Sequence, residues 1–180
     1  LQATYLVGRR VFIEDNFFPE KEYIKICEEI LNTNFVPPPK ERRDGTEKGS
    51  GTPGGAYWFQ KELTLNEKVI FLCEKLIKDK FNYKIKQFNQ AYYTMVSAQK
   101  QFAPHIDKLG AYHCLIYILG DQKINNGTGF YVKKNNELVL NTHVGFNPNR
   151  AIMFSGDNYH SPLLWAGDSS PRFSLCTFFD

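Results

Sequence analysis

From Tyr83 to the C-terminus the chain breaks into short strand-like runs separated by turn residues, over 85–96, 112–119, 128–133, 137–140, 151–154 and 172–179. Lys133-Lys-Asn-Asn-Glu137 has the form of a hairpin connection, because asparagine tolerates the left-handed backbone that tight turns require. Ahead of these runs lie a short strand at 11–13 and two helical patterns. One opens at Phe17-Phe18-Pro19-Glu20, with proline in its first turn and Ile24, Cys27, Ile30 and Leu31 as its apolar stripe. The other starts at Thr64, whose hydroxyl can cap it while Glu67 closes a capping box; Leu65, Val69, Leu72, Leu76 and Ile77 form its apolar face. Many antiparallel strands braced by two helices define a mainly β, α+β architecture, a double-sheet barrel of jelly-roll type. We expect one domain over 1–180: a helical support region (1–82) containing a long loop at 36–57, and a jelly-roll core (83–180).

Burial is well supplied, since 42% of the 180 residues are hydrophobic and 15% aromatic. The longest apolar run, Cys114 to Leu119, is far short of the roughly 20 residues that span a bilayer, and the start has no signal-peptide layout. The expectation is a soluble protein with no membrane partner. Cys27, Cys73, Cys114 and Cys176 are dispersed within apolar patterns, which favours buried thiols in a reducing, cytoplasmic compartment over disulfides. A net charge of +3 is too small to argue for nucleic acid, and the basic cluster Lys40, Arg42, Arg43 and Lys48 is interleaved with acids.

Chemistry concentrates in the back half. In His105-Ile106-Asp107 alternation aims an imidazole and a carboxylate at one point, and His160, fifty-three residues after Asp107, can arrive from a neighbouring strand. Two histidines and one carboxylate on one face leave the opposite coordination positions open, as in non-haem Fe(II) oxygenases. In the strand 172–179 alternation sends Arg172, Ser174, Cys176 and Phe178 to one face. A guanidinium on a buried face requires an anion, and its fork suits a carboxylate, to which the Ser174 hydroxyl can add.

The segments Phe102-Ala-Pro-His-Ile-Asp, Cys114-Leu-Ile-Tyr-Ile-Leu-Gly-Asp, Gly127-Thr-Gly-Phe-Tyr-Val, Arg150-Ala-Ile-Met-Phe-Ser, Tyr159-His-Ser-Pro and Arg172-Phe-Ser-Leu-Cys-Thr-Phe-Phe, in this order, resemble the Fe(II)/2-oxoglutarate-dependent dioxygenases, most closely the prolyl-hydroxylase-like branch. The resemblance covers roughly residues 88 to 180 and implies a distorted double-stranded β-helix. It places Fe(II) on His105, Asp107 and His160 and the C5 carboxylate of 2-oxoglutarate on Arg172. It further implies O2 as co-reactant, ascorbate as an accessory reductant, and oxidative decarboxylation to succinate and CO2 coupled to hydroxylation of a C–H bond. The implied substrate is a protein or peptide side chain, proline among them, or a free amino acid. Tyr93 and Tyr117 are the candidates for a tyrosine that holds the cosubstrate, although simple parity turns Ile118 rather than Tyr117 inward. The sequence departs from the branch at Phe102, where many prolyl hydroxylases have tyrosine, and in the stretch 165–171 between His160 and Arg172.

Two other readings use the same residues. A zinc hydrolase would need a carboxylate base beside the metal, and no glutamate lies near either ligand segment. A non-catalytic jelly-roll module with an incidental metal site would have no use for Arg172 and Ser174. Neither His113, read as packed or solvent-facing, nor His143, placed in a connecting segment, is assigned a role. Tyr57, Trp58 and Phe59 fit either the core or the substrate pocket, and Trp165 either a lid over the barrel edge or the cofactor mouth. The Pro/Gly-rich loop 36–57 is expected to close over substrate. The sequence does not indicate an oligomeric state.

Overall fold

The computed structural model describes residues 2–6, 9–37, 58–96, 103–123, 125–163 and 171–180. In chain order these form β1 (Gln2–Leu6), β2 (Arg9–Glu14), α1 (Glu20–Leu31), β3 (Trp58–Glu62), α2 (Lys68–Phe81), β4 (Phe88–Val96), β5 (Tyr112–Leu119), β6 (Gly127–Lys134), β7 (Glu137–Gly145), β8 (Ala151–Ser155), β9 (Tyr159–Leu163) and β10 (Arg172–Phe179). The large sheet runs β1-β2-β8-β5-β10-β4-β3 and the small one β7-β6-β9, with antiparallel pairing throughout. This is the expected jelly-roll arrangement. The front of the chain is more than helical support, because β1, β2 and β3 extend the large sheet. Loop residues 38–57, Phe102 and 164–170 lie outside the described residues, and with them the expected lid, Tyr57 and Trp165. So does the side chain of Trp58.

The large sheet is buried on both faces. One face takes the helices: Ile26 and Ile30 of α1 and Val69, Ile70, Cys73 and Ile77 of α2 pack with Tyr93, Cys114, Ile116, Ile118, Met153 and Leu175. The other face meets the small sheet, with Tyr92, Leu115, Tyr117, Phe154, Cys176 and Phe178 against Phe130 and Val144. On α1 the buried stripe is Tyr23, Ile26, Cys27 and Ile30, an i, i+3, i+4, i+7 set, and the expected Ile24 and Leu31 face solvent at 50% and 69% exposure. Helix α2 starts at Lys68, after the expected capping box. There the Glu67 carboxylate accepts from the Thr64 backbone N–H at 2.8 Å, but the Thr64 hydroxyl also bonds that carboxylate, at 3.1 Å, so the pair closes a turn and leaves Leu65 exposed.

Two details position the site. Arg150, opening the approach to β8, holds Asp15 bidentately through Nε and Nη2 at 2.6 and 2.8 Å, and so pins the end of β2 to the β7–β8 corner. Along β5 and β10, Phe173 pairs with Leu119 but Ser174 pairs with Tyr117, so Ile118 is the extra residue of a β-bulge. The bulge shifts side-chain parity. Tyr117 follows His113 and Leu115 by regular alternation into the space between the sheets, so the expectation that Ile118 rather than Tyr117 turns inward is out of phase; the bulge acts beyond it, turning Leu119 to the helix layer along with Ile118.

Candidate active site

The His-x-Asp segment is not part of a strand. His105 forms a single antiparallel bridge with His160 of β9, exchanging both backbone hydrogen bonds at 2.9 Å. The bridge sets the two imidazoles side by side, 4.7 Å between ring centroids, and extended backbone brings Asp107 to the same point. His160 Nε2 lies 3.1 Å from Asp107 Oδ2 and His105 Nε2 3.7 Å from Oδ1. Each ring makes the same second contact: His105 Nδ1 lies 3.0 Å from the Ala103 carbonyl, and His160 Nδ1 3.0 Å from the Asn158 carbonyl. A carbonyl can only accept, so each Nδ1 carries the proton and each Nε2 is turned to the shared centre. That is the pattern of histidines oriented to ligate a metal.

The donor atoms of the three residues lie within 4.8 Å of one another. Two ligands at right angles around an ion, each at roughly 2.1 Å, stand about 3 Å apart, so the set fits one ion held on one face. Electrostatics agree. Burial by itself would raise the Asp107 carboxyl, but the charge of His160, the close approach of His113 and His160, and the charge of His105 hold it well below the ordinary carboxylate range. Burial disfavours the charged form of His160, and Asp107 overcomes this to raise its pKa. His105 is lowered, chiefly by burial and then by the charge of His160. The Asp107 carboxylate and the two Nε2 atoms thus face one point, where a cation would find both negative charge and lone pairs.

Arg172 occupies the inner face of β10, only 4% exposed. Its Nη1 donates to the Gly127 carbonyl at 2.5 Å and to Asn126 Oδ1 at 3.2 Å, its carbon Cζ stands 5.4 Å over the Tyr117 ring, and its Nε is buried without a partner. Gly127 can take this place because it has no side chain: its φ is +154°, and a Cβ would run into the Val144 carbonyl. The Tyr117 hydroxyl meets the Thr128 hydroxyl at 2.7 Å and donates to the Val144 carbonyl at 3.3 Å. No described carboxylate pairs with Arg172, and burial lowers its pKa. A buried cation with a free N–H and no described carboxylate partner has the chemistry to take an anion.

Ser174 is buried on the Arg172 face and paired with Tyr117 across the strands. Tyr93 is elsewhere. It sits in the helix-side core on the other face of the sheet, because Leu175, its partner on β10, has the opposite parity to Arg172 and Ser174. His143 lies on β7 opposite Gly129 rather than in a connecting segment. Sequence reasoning passed over Asn126 and Thr128, which flank Gly127, and His113, which lies beside Asp107. A polar-Gly-Thr start to a strand paired with the distal-histidine strand was the available signal.

The two-histidine, one-carboxylate face thus lies inside a double-sheet barrel, with a buried arginine facing the same interior. No protein-family model and no curated protein matches the sequence; solved structures supply the likeness. A prolyl hydroxylase from Trichoplax adhaerens, in complex with a hypoxia inducible factor oxygen degradation domain peptide fragment, superposes with a TM-score of 0.60 at 12% identity, over 94% of this chain and 82% of that one. HygX from Streptomyces hygroscopicus, with nickel and 2-oxoglutarate bound, gives 0.61 at 11% identity over 93% and 81%. The non-haem α-ketoglutarate-dependent epimerase SnoN, from nogalamycin biosynthesis, gives 0.63 at 10% identity over 93% and 76%. This chain has their fold.

Proposed function

We propose that this protein is an Fe(II)- and 2-oxoglutarate-dependent oxygenase that hydroxylates a C–H bond of a peptide or protein side chain. The observation that carries the reading is the pairing, on one inner layer, of the His105, Asp107 and His160 face with Arg172, whose buried Nε has no partner. His105, Asp107 and His160 would hold Fe(II) on one face, with the opposite side left for 2-oxoglutarate and O2. Bound there, the iron supplies oxidative decarboxylation of 2-oxoglutarate to succinate and CO2 and delivery of oxygen to the substrate. The chain's own work is to hold and orient. His105 and His160 present Nε2 lone pairs fixed by carbonyls at Nδ1, Asp107 supplies negative charge, and Arg172 with Tyr117 and Thr128 receives the distal carboxylate of the cosubstrate. Phe130, Phe154 and Phe178 exclude water around His160 and His113.

The choice of a peptide over a small metabolite rests on the likeness to the peptide-bound prolyl hydroxylase. SnoN, with the same fold, is an epimerase, so fold does not decide substrate. The test is succinate production by the Fe(II)-loaded protein under air with 2-oxoglutarate, across a panel of proline-containing peptides, other peptides and free amino acids. Stimulation by a peptide that gains one oxygen atom supports the reading, and stimulation by amino acids alone moves the substrate class. His105→Ala, Asp107→Ala and His160→Ala should each abolish turnover with the fold retained. Turnover that survives in these variants defeats the assignment.

A further inference from the structure

His113 is a buried imidazole for which the proposed function has no use. On β5 it sits directly between Phe154 of β8 and Phe178 of β10, its cross-strand neighbours on either side. Its ring stacks on Phe178 at 4.3 Å and 26° and tilts against Phe154 at 4.7 Å and 53°. These walls offer nothing to hydrogen-bond, and neither ring nitrogen makes a hydrogen bond, although the side chain is only 5% exposed. One polar group is near: Nδ1 lies 3.3 Å from Asp107 Oδ2, close enough for an ion-pair contact yet off the line of a hydrogen bond.

A buried, unbonded polar group costs about 1–3 kcal/mol, and a phenylalanine between the same two rings would avoid that cost. Such a group calls for an explanation. Oδ2 is already in contact with His160 Nε2 at 3.1 Å, and an ion that takes the Nε2 lone pair of His160 ends that contact. The nearest remaining donor is then His113. A small rotation of the Asp107 carboxylate, which belongs to no strand, brings Oδ2 into line.

We propose that His113 is a positioning residue for the metal centre: its Nδ1–H donates to Asp107 Oδ2 when an ion is held, fixing the carboxylate so that one oxygen is presented to the metal. The two phenyl rings fix the imidazole in turn. The inference rests on the reading that His105, Asp107 and His160 bind a divalent cation. Partners that orient a ligand typically contribute 10- to 100-fold to metal affinity.

The experiment measures Ni(II) affinity of the full chain by competition with a chelator, together with melting of the metal-free protein. His113→Phe should weaken Ni(II) binding by about 10- to 100-fold without lowering the metal-free melting temperature. His113→Asn, whose amide nitrogen can stand near the place of Nδ1, should recover affinity to within about threefold of the parent. Pulsed EPR of the Cu(II)-loaded protein should count two ligating imidazoles in the parent and in both variants. Unchanged affinity in His113→Phe overturns the proposal, as does equal weakness in His113→Asn. Three imidazoles in the parent would make His113 a ligand and overturn it as well. A parent that binds no Ni(II), or a His105→Ala variant that binds as tightly, would instead remove the metal site and this inference with it.

Discussion

Replacing Arg172 by methionine separates anchoring from folding. The change keeps a long apolar stem and removes the guanidinium, whose Nε is unpartnered and whose Nη1 bonds Gly127 and Asn126. Two contributions to metal-free stability oppose each other: a buried cation is relieved, and the Gly127 carbonyl loses its donor. The melting temperature without cosubstrate should therefore move little. The response to 2-oxoglutarate should not survive. For the parent loaded with Mn(II) without O2, 2-oxoglutarate at 100 times its Kd stabilises by about 2.7 kcal/mol, or roughly 5–11 °C for a domain of this size. Each charge-assisted hydrogen bond to the cosubstrate carboxylate is worth about 1.5–3 kcal/mol, so losing one weakens binding by about 10- to 150-fold. At 100-fold weaker binding the same concentration equals Kd, which leaves about 0.4 kcal/mol and a rise of roughly 1–2 °C. Differential scanning fluorimetry across a 2-oxoglutarate titration reads both quantities. A variant that melts lower yet keeps the full rise would show that Arg172 is structural and that the anchor lies elsewhere.

Tyr117→Phe should raise the 2-oxoglutarate requirement by about 2- to 10-fold, the worth of one neutral hydrogen bond, whereas Tyr93→Phe, on the helix side, should leave it unchanged in the same titration. Gly127→Ala places a side chain at a φ of +154° against the Val144 carbonyl, so it should destabilise the fold by about 1–3 kcal/mol in urea unfolding and weaken cosubstrate binding together. Asp15 has its pKa lowered, first through its hydrogen bond from Arg150, so its contribution to stability is present above its unfolded value near 3.8 and is lost as pH falls through the lower folded value. Unfolding measured across that acid range should be flatter for Asp15→Asn than for the parent, and identical profiles would show that the pair adds nothing.

The cluster of His105, Asp107 and His160 was legible because its logic needs only extended backbone. His105 and Asp107 are two residues apart, so they converge whether the segment is a strand or, as here, a single bridge. Arg172 was legible because β10 alternates regularly over its inner face. Tyr117 was not: Cys114 to Leu119 is apolar on both faces, so nothing in the sequence shows which face turns inward. β9 was missed for a similar reason. It contains Pro162, which a strand tolerates here because β9 lies at the edge of the small sheet. His113 was read as packed or solvent-facing, and it is packed; only the placing of Phe154 and Phe178 shows how few polar neighbours it has.

The extra residue at Ile118 gives β5 two reading frames. Up to Tyr117 the odd-numbered side chains line the chamber, and past the bulge Leu119 changes allegiance and seals the helices. The position of the phenol and the closure of the outer layer can therefore vary separately, which a regular strand would forbid. It also insulates the chamber wall from a change of length at this point. Deleting Ile118 would leave Tyr117 opposite Ser174 and Leu119 opposite Phe173, so the phenol would keep its place while the ladder became regular.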